Sequence, residues 1–250
     1  FVADLAEAAQ QSFDSRLARL EDSAAALRDD FQSVTPRLAT GSPGRTLCRL
    51  ARESESELVV AGAVGHSAIA RVLLGSTSDY LATHAECSVL IVRPIDNDQV
   101  DSPRVHAPPR RVLLAIGNSP LDEKLWNWIE RLMLPMTTEI RMVHVMQSIP
   151  AFELDLLKKA SAYWKEVRSR AAKHIDALRP RLESLGHTVK SDLIEGPHIG
   201  QALADYAETE RCDLSILGNQ CETLAERIFL GSTSRHFLRH TKSSVLIVRD

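Results

Sequence analysis

Residues 62–78 read Gly-Ala-Val-Gly-His-Ser-Ala-Ile-Ala-Arg-Val-Leu-Leu-Gly-Ser-Thr-Ser, three glycines in the pattern G-x2-G-x9-G followed by Ser-Thr-Ser. A helix that opens after Gly75 leaves its first amides without intrahelical acceptors, and its dipole adds positive potential at the same end. The amides and hydroxyls of Ser76, Thr77 and Ser78 would then face an anion. Gly62, Gly65 and Gly75 carry no side chain, so a ligand can approach the backbone closely and positive φ costs nothing. His66 lies inside the loop, where it either reaches a phosphate or stays solvated. The chemistry this set offers is phosphate binding. The same residues also serve as ordinary turn glycines with Ser76 as a plain N-cap, and spacing alone does not separate the two. The run is neither a P-loop, since no Gly-Lys-Ser/Thr follows, nor the G-x-G-x-x-G dinucleotide fingerprint.

What must hold such a loop is visible in an internal repeat. Leu74-Gly-Ser-Thr-Ser78 returns as Leu230-Gly-Ser-Thr-Ser234, and Ser88-Val-Leu-Ile-Val-Arg93 returns as Ser244-Val-Leu-Ile-Val-Arg249. Both pairs, and His84 with His240, stand 156 positions apart, too long a period for solenoid units and right for two domains. Residues 94–110 are polar and carry four prolines, an extended linker by composition. The expected organisation is a first domain over residues 1–94, a linker over 95–109 and a second domain over 110–250.

The second copy reads as alternating strands and helices. Strands are expected over 111–116, 139–146, 188–194, 214–217 and 245–248, and helices over 121–134, 152–185, 199–210 and within 224–240. Pro180 should kink or interrupt the second of these helices. Such alternation implies a parallel sheet with helices on both faces, and open parallel sheets bind ligands at the C-terminal ends of their strands. The first copy opens inside its long helix, where Phe13, Leu17, Leu20, Ala24, Leu27 and Phe31 recur at helical spacing. At the same offset it lacks counterparts of the first strand, first helix and second strand, which reads as N-terminal truncation. Phe1-Val-Ala-Asp4 has neither an initiator Met nor the character of a signal peptide.

Composition narrows the function classes. Lys and Arg number 30 against 33 Asp and Glu, for a net charge of -3, so nothing pulls the chain toward nucleic acid or anionic membrane. No apolar run is long enough to span a bilayer. Cys48, Cys87, Cys212 and Cys221 form no C-x-x-C pair and no metal-ligand spacing, and read as thiols of a reducing cytoplasm. His84 and His240 fall at helix ends, where a cation suits the dipole. Trp126, Trp128 and Trp164 read as core or interface residues. No nucleophile elbow and no Ser/His/Asp set is present, so no catalytic residue and no metal ligand is assigned.

The loop, with Leu74-Gly-Ser-Thr-Ser-Asp-Tyr-Leu-Ala-Thr-His84 and Cys87-Ser-Val-Leu-Ile-Val-Arg93 around it, resembles the nucleotide-binding signature of the universal stress protein family. The resemblance covers nearly the whole chain through its two copies. It implies two tandem α/β domains of the Rossmann-like, open doubly wound kind. It also implies ATP, or AMP/ADP, in the first domain, with Mg²⁺ or Mn²⁺, held around its phosphates and ribose by Gly62, Gly65, Gly75, Ser76, Thr77 and Ser78. The family's Asp at the end of strand one has no counterpart in the first copy. In the second, Gly117 stands in its place, Cys221 replaces the second glycine, and Glu222 and Glu226 outweigh Arg227, so that copy reads as degenerate and structural. The family's last strands pair across a dimer. Here residues 89–92 and 245–248 would make that pair within one chain, leaving further homodimerisation and a protein partner open. The implied role is a nucleotide-responsive stress regulator. The alternatives are a nucleotide-independent adaptor and a slow nucleotide-hydrolysing enzyme.

Overall fold

The computed structural model describes residues 2–63, 74–94, 108–117, 121–148, 154–219 and 230–249. The chain forms two compact units, Phe1–Thr46 and Leu47–Asp250.

In the first unit, helix α1 (Val2–Leu27) follows the expected apolar period. It ends at Leu27, one turn before Phe31, and Phe13, Leu27 and Phe31 are exposed. Residues 33–40 form no strand, although the repeat aligns them with a strand of the second copy. Gly41, at φ 123°, makes the turn into helix α2 (Pro43–Glu53), which crosses from the first unit into the second.

The second unit is built on one sheet. Its strands are β1 (Leu58–Gly62), β2 (Ser88–Val92), β3 (Arg111–Ala115), β4 (Glu139–Gln147), β5 (Thr188–Gly196), β6 (Leu214–Gly218) and β7 (Ser244–Val248), in the order β1-β2-β7-β6-β3-β4-β5. Helices α3 (Ser76–His84), α4 (Leu121–Arg131), α5 (Leu154–Glu183), α6 (Ile199–Thr209) and α7 (Ser232–His240) connect them. Strands β7, β6, β3, β4 and β5 are mutually parallel, and the chain reverses its direction of winding between β3 and β6. That is the doubly wound arrangement expected for the second copy. Strand side chains alternate between two cores. Leu113, Val143, Leu217, Val245 and Ile247 meet α3, α6 and α7 on one face, while Val112, Leu114, Met142, Ile216 and Leu246 meet α4 and α5 on the other. Trp126 and Trp128 belong to the second core, as their pattern predicts. Phe237 and Trp126 are fully buried, each worth roughly 1.5–3 kcal/mol by area. Helix α5 runs through Pro180 to Glu183, so the proline does not interrupt it. The proline stands in the last full turn, and Ile175 and Leu182 on either side of it are docked in the core.

The repeat survives to the residue. Helix α2 and α6, β1 and β6, α3 and α7, and β2 and β7 start and stop at positions 156 apart. The two copies meet as predicted, through an antiparallel pairing of β2 with β7 (Val89 with Ile247, Leu90 with Leu246, Ile91 with Val245). A reciprocal latch surrounds it. The Arg93 amide donates to Ser244 Oγ (3.1 Å), and the Arg249 amide to Ser88 Oγ (3.2 Å). The Arg93 guanidinium, 4% exposed, donates to the Leu238 carbonyl near the end of α7 (2.7 Å). Arg249, 7% exposed, does the same to the Ala82 carbonyl near the end of α3. Each arginine thus caps a helix C-terminus of the other copy, where a cation is favoured.

Candidate phosphate-binding turns and the second-half cavity

At the C-terminal end of β1, the Ala63 amide extends the ladder to the Val92 carbonyl (2.8 Å), and the Gly75 amide returns to the Ala63 carbonyl (2.7 Å). The hydroxyl of Ser78, buried, donates to the Gly62 carbonyl (2.6 Å). These bonds fasten the start of α3 over the end of its strand. Gly75 is the N-cap, and among the described residues no side chain caps the helix. The first-turn amides, on Ser76, Thr77 and Ser78, are donors of the kind an anion would use. Ser76 is exposed, Thr77 half-buried and Gly62 exposed. Gly65 and His66 lie outside the described residues.

One expectation about the glycines changes. Gly75 has φ −66° and ψ 151°, and its counterpart Gly231 has φ −56° and ψ 151°. Both are extended, a conformation open to any residue, and neither Gly62 nor Gly218 is among the positive-φ glycines. The role left to these glycines is to keep side-chain bulk away from the helix start.

The second copy repeats the skeleton with one substitution. The Asn219 amide bonds the Val248 carbonyl (2.9 Å), but the Gly231 amide is taken by the Asn219 side-chain Oδ1 (2.9 Å). Ser234 Oγ lies 3.4 Å from the Gly218 carbonyl, and α7 again has no side-chain cap. Cys221, Glu222, Glu226 and Arg227, on which part of the degeneracy argument rests, lie outside the described residues.

Here the surrounding strands are present, and a cavity of about 300 Å³ opens where the winding reverses, between the ends of β3, β4 and β6 and the start of α7. Gly117, Asp122, His144 and residues 231–234 line it. Asp122, 4% exposed, stands in the first turn of α4. Its Oδ1 accepts the Gly117 amide (3.0 Å), and its Oδ2 lies 2.8 Å from His174 Nε2. His144 donates from Nδ1 to the Ile116 carbonyl (2.8 Å). In the sequence Asp122 reads only as an acid complementing a helix dipole, and its contact with His174 needs the tertiary fold.

The universal stress protein family model matches residues 2–93 and 109–249. A universal stress protein of Synechocystis sp. is 38% identical over 52 residues, which are 21% of this chain and 48% of that protein. One of Mycobacterium tuberculosis strain H37Rv is 37% identical over 91 residues, 36% of this chain and 28% of that protein. The chain spans about half the length or less of these curated relatives. Among solved structures, a universal stress protein from Archaeoglobus fulgidus superposes with a TM-score of 0.58 at 16% identity, over 99% of this chain and 78% of that one. A Pseudomonas aeruginosa protein named for the same family reaches 0.63 at 18% identity, over 92% and 77%. At such identities the likeness is one of fold.

Proposed function

The chain belongs to the universal stress protein family, as a tandem of two copies, and we propose that it is a stress-response regulator that binds adenine nucleotide. In this reading residues 1–94 and 110–250 are its two domains, joined by 95–109. ATP, or AMP/ADP, occupies the first through Gly62, Gly65, His66, Gly75, Ser76, Thr77 and Ser78, and the second is chiefly structural. The observation that carries the reading is the pinned, uncapped start of α3, whose amides stand at the ligand-binding end of a parallel strand. Those donors fit phosphate oxygens. Among the described residues no group of three or more His, Cys, Asp or Glu could hold a metal ion. A Mg²⁺ or Mn²⁺ would be carried by the phosphates, which is how magnesium commonly binds. The nucleotide would bias the conformation or partner surface of the protein.

The cavity of the second half favours a second seat for the same ligand, because the Gly231-Ser232-Thr233 start of α7 opens into it beside Asp122 and His144. One experiment weighs both seats. The purified protein is heated to release small molecules, which are identified by chromatography, and Gly65→Glu and Thr233→Glu are treated alike. About one equivalent of adenine nucleotide, lost only in Gly65→Glu, supports the first-half site. Loss only in Thr233→Glu moves the site to the second half, and about two equivalents put one in each. No nucleotide, and no binding on titration with ATP and Mg²⁺, refutes the proposal and leaves the adaptor reading.

A further inference from the structure

A further cavity, of about 470 Å³, lies beside the start of β2 and the end of β7. Its walls come from both copies: Cys48 and Arg52 of α2 and the Glu86-Cys87 segment before β2 from the first, Trp128 of α4 and Arg249 from the second. Two thiols share it. Cys48 and Arg52 are four residues apart on one face of α2. Arg52 Nε lies 3.0 Å from Glu86 Oε1, and Cys87 follows Glu86 directly. This ion pair draws the Cys48 face of α2 against the segment that carries Cys87. Both cysteines are half-buried, free, and packed on the same core cluster, and Cys87 is near enough to act on the ionisation of Cys48.

We propose that Cys48 and Cys87 form a reversible dithiol–disulfide site, oxidised by a small anionic disulfide that enters this cavity. The buried guanidinium of Arg249, with Lys124 also in the lining, supplies the positive charge that such a molecule and a developing thiolate both need, while Arg52 and Arg131 are paired with Glu86 and Glu57. One cysteine, as thiolate, attacks a sulfur of the small disulfide RSSR, forming a mixed disulfide and releasing RS⁻, which takes up the proton the cysteine gave up. The second cysteine then displaces the remaining RS⁻ in the same way and closes the Cys48–Cys87 bond. Two cysteine thiols are oxidised to one disulfide, and one RSSR is reduced to two RSH. Burial, the largest influence on both groups, raises their pKa above the ordinary thiol value, so the thiols stay largely protonated and exchange runs over minutes to hours. Cys212 stays out of it: buried, its thiol is pushed by burial up to about 12. The site belongs to one copy only, since the positions 156 residues on are Ala204 and Ser243.

The test uses the whole reduced protein and oxidised glutathione as the probe. After some hours the reaction is quenched with acid, free thiols are blocked with N-ethylmaleimide, and tryptic peptides are weighed without reduction. The expected product joins residues 46–49 to residues 72–104, since trypsin does not cut before Pro94, is the dominant oxidised species, and disappears with dithiothreitol. Cys48→Ser should instead leave glutathione on Cys87, and Cys87→Ser should leave it on Cys48. Wild-type protein that carries glutathione separately on these cysteines, remains unmodified at both, or links two chains together overturns the proposal. The decisive readout is on wild-type protein, so it does not depend on the variants folding.

Discussion

Replacing Gly200 by alanine sets two helix effects of opposite sign against each other. Gly200 stands in the first turn of α6, where a methyl group would lie 2.7 Å from the Thr233 carbonyl oxygen and 3.0 Å from the His236 Cβ. Ordinary contact begins at 3.4 Å, so α6 and α7 would have to separate by roughly 0.7 Å to recover normal packing distances. Thr233 meets the methyl with backbone of the α7 first turn, which no rotamer change can move aside. Overpacking of this kind costs about 1–3 kcal/mol. Against it, alanine is better than glycine in a helix interior by about 0.8–1.0 kcal/mol, with a smaller gain in a first turn. The expected net loss is about 1–2 kcal/mol. Urea unfolding followed by the fluorescence of buried Trp126 and Trp128 and by far-ultraviolet circular dichroism would measure it, coincidence of the two probes supporting a single transition. A Gly200→Ala protein as stable as the parent, or more so, would show that helix propensity governs the position and that the α6–α7 approach is not tight.

Two further outcomes follow from the polar contacts. Arg249→Ala leaves the Ala82 carbonyl without its buried donor and should lower stability by about 1–3 kcal/mol; an unchanged urea midpoint would mean that the latch across the two copies is idle. Burial raises the Glu139 pKa, but hydrogen bonds from Arg141 and Lys190 outweigh it and hold the carboxyl below its ordinary 4.5. A depressed folded pKa contributes stability that is present above the unfolded value and is lost as pH falls through the folded one. The urea midpoint should therefore drop below about pH 4.5 more steeply in the parent than in Glu139→Gln, and parallel profiles would refute the assignment.

The repeat made much of this fold readable in advance. Once Gly75-Ser-Thr and Gly231-Ser-Thr were aligned, the matched elements followed, because identical local sequence in two places implies identical local structure, whereas the β2–β7 partnership was implied by the family resemblance. The turn of the candidate site was legible for the same reason. What the sequence did not show depends on neighbours distant along the chain. Residues 33–40 align with β5 yet form no strand. Asp122 looks like an ordinary helix acid until the fold brings it to Gly117 and His174. Gly75 suggested positive φ, but the bonds from Ser78 and to Ala63 fix it in extended geometry. Pro180 signalled a break, yet the docking of Ile175 and Leu182 carries α5 past it.

The antiparallel join of β2 to β7 has an evolutionary reach. In a symmetric dimer of separate chains any substitution is made twice, and dilution pulls the partners apart. Here the pairing strands travel on one polypeptide, so their association is intramolecular and independent of protein concentration. Each copy is also free to mutate alone. Asn219 against Ala63, and the Cys48 and Cys87 pair against Ala204 and Ser243, are differences that a homodimer could not keep on one side. Fusion thereby turns a symmetric joint into one whose two sides can be assigned separate tasks.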